Sequence, residues 1–222
     1  MAPPKAHDRC LAKMHSTPTA RLTSNFKNRV FFALLVYCLQ LPLLAADKPR
    51  APKTVLVHYM PWYASKHISG NWGWHWTMDR FKPDKIGANG RREIASHYRP
   101  LIGPYDSSDP DALECQVLLM KFASINGVII DWYGSEHFRD YATIHRNSLS
   151  LIKYLKQAGL KFAVCYEDQS IKHMVKGGKL KKTQEVAHGK KVLKWLEQNW
   201  FSDPAYVKLK GRPVLLIFGP QH

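Results

Sequence analysis

The chain has 222 residues, 45% of them hydrophobic, with 33 Lys+Arg against 17 Asp+Glu and a formal net charge of +16. That length gives one domain of ordinary size with a sizeable core. Four cysteines are too few and too scattered for a disulfide framework, and no motif that reads nucleic acid accompanies the positive charge.

Arg21, Lys27 and Arg29 precede an apolar run, Val30 to Leu44, which ends in small residues at Ala45 and Ala46. A charged n-region, an h-region and a cleavage site make residues 1–46 a signal peptide with a long n-region. The run is shorter than the roughly 20 apolar residues of a membrane span. Gln40 and Pro42 also interrupt it. The expected product is exported, periplasmic or extracellular, with no stable membrane insertion after cleavage. An uncleaved N-terminal anchor is the alternative.

Residues 47–53, DKPRAPK, read as a proline-punctuated linker. A first strand then starts in TVLVHYMPWY, where Val55, Leu56 and Val57 form a continuous apolar run. Such runs predict burial on both faces, as in a parallel sheet under helices. Residues 64–110 are loop-rich, with turn signals at SGN, GANG and GPYDSSDPD. Asp109 caps a helix whose first turn takes Pro110 and whose apolar face comes from ALECQVLLMKFASI. Gly127 leads into a second strand, GVIIDWYG. Ser148 to Gln157 is amphipathic through Leu149, Ile152 and Leu155, and Gly159 ends it.

KFAVCYED, residues 161–168, is the third buried strand. The basic stretch from Lys172 to Lys194 reads as a solvated loop and helix face, with attraction to an acidic polysaccharide or anionic surface as its functional alternative. Val186 to Trp200 is helical, FSDPAYVKLKG is a loop, and RPVLLIFGP is the fourth strand. Cys115 and Cys165 fall in a helix and a strand as small hydrophobes.

Strands alternating with helices mean parallel βαβ units. The first strand is followed by MPWYASK, without the glycine-rich phosphate loop of many doubly wound sheets. Polar and aromatic residues recur instead at four strand ends: HYMPWY, DWYG, YEDQ and FGPQH. That recurrence suits a (β/α)8 TIM-barrel fold, whose strands all deliver residues to one C-terminal face. Four strands make an incomplete barrel of about four βα units, so residues 54–222 are expected to be the N-terminal half of a glycosidase-like barrel.

Barrel geometry brings His58, Tyr59, Trp62 and Tyr63 near Asp131, Trp132 and Tyr133. Tyr166, Glu167, Asp168 and Gln169 join them, with Gln221 and His222 at the fourth strand end. Rings with polar handles suit a ligand that is apolar on one face and hydroxylated around its edge, and a sugar is such a ligand. A pair of carboxylates can cleave a glycosidic bond. Asp131 and Glu167 are the catalytic candidates. The long first loop adds NWGWHW, residues 71–76, either a ligand wall or a self-packed loop. No HxH, HExxH or CxxC spacing supports a metal, and no GxSxG elbow supports a serine hydrolase. Neither metal nor cofactor is expected.

HYRPLIGPYDSSDPDALECQVLLMKFASINGVIIDWYG, residues 97–134, resembles the signature region of glycoside hydrolase family 99, the endo-α-mannosidases, and of family 71/99-like proteins. HYMPWY, AVCYED and DPAYVKLKGRPVLLIF resemble that family's first, third and fourth strands, so the likeness runs over about residues 54–220. It implies an exported retaining endo-glycosidase acting on, or binding, α-linked mannan-type glycans, with a polysaccharide or oligosaccharide as partner. It implies sugar contact for Tyr59 and Trp132, and binding of sugar hydroxyls by Glu167. Trp62, Tyr133 and Asp168 complete the expected substrate-binding set. Asp131 stands where the family usually has serine, and Asp168 where it has proline. The family's acid/base pair comes from a later NEWxEG-type motif, which is absent from these 222 residues. The expectation is therefore a fragment or short form with little or no hydrolysis of its own, prone to oligomerise. A non-catalytic carbohydrate-binding protein is the alternative.

Overall fold

A computed structural model describes residues 53–219. The expected signal peptide, all of the linker but Lys53, and the last residues Pro220, Gln221 and His222 lie outside the described residues.

In chain order the elements are strand β1 (Leu56–Tyr59), single-turn helices α1 (Lys66–Ser69) and α2 (Trp74–Thr77), and helix α3 (Pro110–Phe122). Next come β2 (Gly127–Trp132), α4 (Tyr141–Gln157), β3 (Lys161–Glu167), α5 (Gln169–Lys176) and α6 (Glu185–Leu196). Short strands β4 (Lys208–Leu209) and β5 (Arg212–Pro213) precede β6 (Leu215–Phe218).

The main sheet is fully parallel, in the order β1-β2-β3-β6. Each strand is added to the same edge as the chain advances. A doubly wound sheet reverses its strand order at a switch point; none occurs here. Sequential addition is the winding of a (β/α) barrel, which closes with eight strands. The described residues supply four, leaving β1 and β6 as edges, so the fold is an incomplete barrel.

One face of the sheet carries the core. Val128, Ile130 and Trp132 of β2 and Phe162, Val164 and Tyr166 of β3 pack with Leu113 and Val117 of α3, Leu151 and Leu155 of α4, and Leu196 of α6. Burying each such aliphatic or aromatic side chain stabilises by about 1.5–3 kcal/mol. Side chains alternate along a strand, so the intervening His58, Asp131, Cys165 and Glu167 share the opposite face. Gly127 permits the β2–β3 approach: a Cβ there would fall 2.2 Å from the Lys161 carbonyl oxygen.

The expected Asp109–Pro110 helix start is observed, with the Asp109 side chain accepting from the Asp111 backbone N–H at 3.0 Å. Gly159 follows α4 in the left-handed conformation, at φ 69°. Among the described residues Cys115 and Cys165 form no disulfide, Cys165 being buried and Cys115 half-buried.

Four expectations are corrected. Burial on both faces holds for β2 and most of β3 but not for β1, where His58 is exposed, because an edge strand has a neighbour on one side only. Helix α4 begins at Tyr141 rather than Ser148. The polar residues that hid its first turns are buried and satisfied: Asn147 donates to the Pro61 carbonyl at 2.9 Å, and Ser148 to the Ile144 carbonyl at 2.8 Å. Part of the basic stretch is helix α5, which buries Ile171 and Met174. The fourth strand is shorter than expected. Arg212 and Pro213 pair backwards with Leu209 and Lys208 around a Lys210–Gly211 turn, both residues at positive φ, as a two-residue hairpin turn requires.

Candidate functional site

The C-terminal ends of the strands open into a cleft of about 900 Å³. Trp62 enters it from the loop after β1, His75 from α2, Tyr133 from the residue after β2, and Glu167 from the last position of β3. Tyr141, Arg139 and Arg146 line it from the β2–α4 loop and from α4, and Ser170 and His173 from α5.

The aromatic wall is built by stacking. Trp62 and His75 lie 4.1 Å apart between ring centroids and within 2° of parallel. His75 Nε2 lies 3.3 Å from Asp140 Oδ2, which orients the imidazole. Tyr133 lies 6.4 Å from Trp62 and 5.2 Å from Tyr141. The Trp62 indole N–H is buried and has no hydrogen-bond partner among the described residues.

The YDSS stretch of the long loop holds this wall in place. Asp106 is buried and accepts from the Ser65 backbone at 2.7 Å, Ser69 Oγ at 2.6 Å, and Ser108 N and Oγ at 2.9 and 2.6 Å. Burial alone would raise its carboxyl, but those hydrogen bonds, that of the Ser108 hydroxyl foremost, hold it below the usual range. Trp76 donates to the Tyr105 carbonyl at 2.9 Å and stacks on Tyr63 at 4.0 Å. NWGWHW thus divides its work: Trp76 is an anchor, while Trp72, Trp74 and His75 face the cleft.

Two carboxylates with raised proton affinity mark the sheet end. Burial, then repulsion from Glu167, push Asp131 up to about 7, with Tyr133 lowering it in part. Burial raises Glu167 as well. Asp131 is 3% exposed and does not line the cleft; it sits on the sheet face, at the residue before Trp132. A carboxyl near 7, as at Asp131, can give and take a proton at physiological pH.

Of the expected sugar contacts, Trp62, Tyr133 and Glu167 meet in the cleft. Tyr59 and Trp132 do not; both belong to the core. The Tyr59 hydroxyl donates to Gln116 Oε1 at 2.5 Å. Trp132 is 1% exposed, donates to His145 Nδ1 at 3.2 Å, and packs on Trp195 and Trp200. The two-residue alternation turns them to the helices while His58 and Asp131 take the other face. Asp168 precedes α5 and does not line the cleft; its backbone N–H donates to the Phe218 carbonyl at 3.2 Å. Tyr141, Arg139 and Arg146 were not foreseen. Their signal is positional, since HFRDYATIHR follows a strand end that faces the cleft.

No family model matches the chain. Over 85 residues it is 31% identical to the glycoprotein endo-alpha-1,2-mannosidase-like protein of Danio rerio, covering 35% of this chain and 19% of that protein. The glycoprotein endo-alpha-1,2-mannosidase of Rattus norvegicus is 31% identical over 94 residues, 37% of this chain and 20% of that protein. The chain thus spans about a fifth of the length of the curated relatives it matches. The structure of the GH99 endo-alpha-mannosidase from Bacteroides thetaiotaomicron aligns with a TM-score of 0.50 at 17% identity, over 75% of this chain and 45% of that one. In sequence over part of its length, and in fold over most of it, the chain resembles the endo-alpha-mannosidases of glycoside hydrolase family 99.

Proposed function

We propose that this chain is an exported, glycoside-hydrolase-like protein whose cleft holds an α-linked, mannan-type oligosaccharide. The observation that carries the reading is the flat Trp62–His75 pair sharing one cleft with Glu167. A sugar presents an apolar face to such rings and hydroxyls to a carboxylate. Arg139 and Arg146 supply donors at the same cleft. The mannosidase relatives point to the same ligand class. Tyr59, Trp132 and Asp168 support the site from outside the cleft, and Asp131 lies on the sheet face, where Glu167 raises its proton affinity.

Binding without efficient cleavage is the form of this reading we favour. Glycoside hydrolysis takes two carboxyl groups flanking the bond. Of the cleft-lining carboxylates, Asp140 is engaged by His75, which leaves Glu167. The edges of β1 and β6, unpaired among the described residues, invite further strands or a second copy.

Calorimetry with mannan, glucan and acidic oligosaccharides, with product analysis of the same mixtures, tests both parts. Binding to a mannan-type ligand that weakens several-fold in Trp62→Ala is expected. No binding to any glycan overturns the reading. Turnover lost in Glu167→Gln replaces the binding form with an enzyme complete in itself.

A further inference from the structure

We propose that His58, Asp131 and Cys165 form a binding site for a divalent transition metal of the zinc type. The three residues come from three neighbouring parallel strands, β1, β2 and β3. Asp131 and Cys165 are register partners, and His58 sits beside Ile129, two positions upstream of Asp131. Their shared side-chain parity puts all three on the sheet face away from the helical core. One donor atom from each lies within 4.8 Å of the others, and His58 Nε2 is 4.0 Å from Asp131 Oδ1. Donors about 2.0–2.3 Å from a tetrahedral zinc ion lie roughly 3.3–3.8 Å from one another. Small side-chain rotations close that difference.

An independent observation points to a ligand here. Asp131 Oδ1 is buried and has no hydrogen-bond partner among the described residues. A buried carboxylate oxygen without a partner is costly, and a cation removes that cost. The donor set is one imidazole nitrogen, one carboxylate oxygen and one thiol sulfur. That combination suits zinc and disfavours magnesium or calcium, which take oxygen donors. Three protein ligands leave one tetrahedral position. Solvent reaches the site on the His58 side, where the imidazole is 41% exposed. Coordination forms a metal–sulfur bond as the Cys165 thiol gives its proton to water, and nothing is oxidised or reduced. The inference goes beyond the glycan reading and does not rest on it.

The full chain, reduced and stripped with a chelator, is titrated with Co²⁺. One equivalent is expected to bind with a thiolate-to-cobalt charge-transfer band, to be displaced by Zn²⁺, and to raise the melting temperature. Cys165→Ala abolishes the band. His58→Ala, at an exposed position that folding does not depend on, weakens binding by about tenfold or more. Cys115→Ala leaves the band unchanged. Absence of the band in folded protein overturns the proposal. So does a band that survives in both Cys165→Ala and His58→Ala, since that assigns the metal to other residues.

Discussion

The Trp62 indole lies flat against the His75 imidazole, 4.1 Å between centroids and 2° from parallel, although the two come from different loop segments. Asp140, from a third segment, holds His75 at 3.3 Å. The platform therefore exists only when the loop after β1, the NWGWHW turn and the start of α4 are all in place.

Trp62→Ala removes the platform from beneath a bound sugar. A ring contact of this type contributes about 0.5–1.5 kcal/mol beyond its buried area, so glycan affinity should fall roughly three- to tenfold or more. His75→Phe keeps a flat partner and should retain more affinity than His75→Ala. Calorimetry on the three variants checks the ranking.

Trp132→Ala should behave in the opposite way. Its ring is core, and large aromatic truncations cost about 3–5 kcal/mol. Tyr59→Phe removes the Tyr59 donor from Gln116 Oε1 and should cost about 1 kcal/mol. Denaturant melts should report both losses, while glycan affinity of the folded fraction stays within about twofold of wild type.

Asp131 gives stability a pH signature in the metal-free protein. Its folded carboxyl lies near 7 through burial and the neighbouring Glu167, well above its unfolded value of about 3.9. Between those values the folded state holds a proton that the unfolded chain has released. Stability should therefore fall as pH rises from about 4 to 7, by on the order of a few kcal/mol. Asp131→Asn should flatten that slope and melt higher than wild type at pH 8. Melts in chelator across the pH range measure it.

Glu167→Gln removes the charge that adds to the burial of Asp131. The Asp131 carboxyl should then titrate lower, as carbon-detected NMR of the side chain would show. Glycan binding should weaken without loss of fold, because Glu167 is the half-buried last residue of β3 and does not fill the core.

Asp106→Ala should loosen the cleft wall at a distance. It leaves the buried Ser65 backbone donor without its acceptor, at about 1–3 kcal/mol, and frees the exposed Ser108 N–H to water. In wild type the Asp106 carboxyl is depressed, so its contribution is present above the unfolded value near 4. It is lost as pH falls through the folded one. Hydrogen exchange at Ser65 and Ser108 should rise in the variant and, in wild type, at low pH.

Much of the scaffold was legible in the residues themselves. The apolar runs of β2 and β3, the Asp109–Pro110 start and the Gly159 stop are local patterns with local causes. The hairpin at Lys210–Gly211 and helix α5 were not read, because a short turn inside a polar loop and a helix inside a lysine-rich stretch give weak local signals.

The site divides the same way. The sequence by itself determined that carboxylates and aromatic rings would gather at the strand ends, since strand order and parallel winding follow from the alternation of elements. It did not determine which of them face a ligand. HYMPWY and DWYG each offer several plausible residues, and a shift of one position turns a side chain from the cleft side to the helix side. Tertiary packing alone decided that Trp132 would fill the core beside Trp195 and Trp200. It decided that Trp62 would meet His75, and that His58, Asp131 and Cys165, far apart in the chain, would converge. Those outcomes depend on strand register and on contacts between distant segments, which no local pattern encodes.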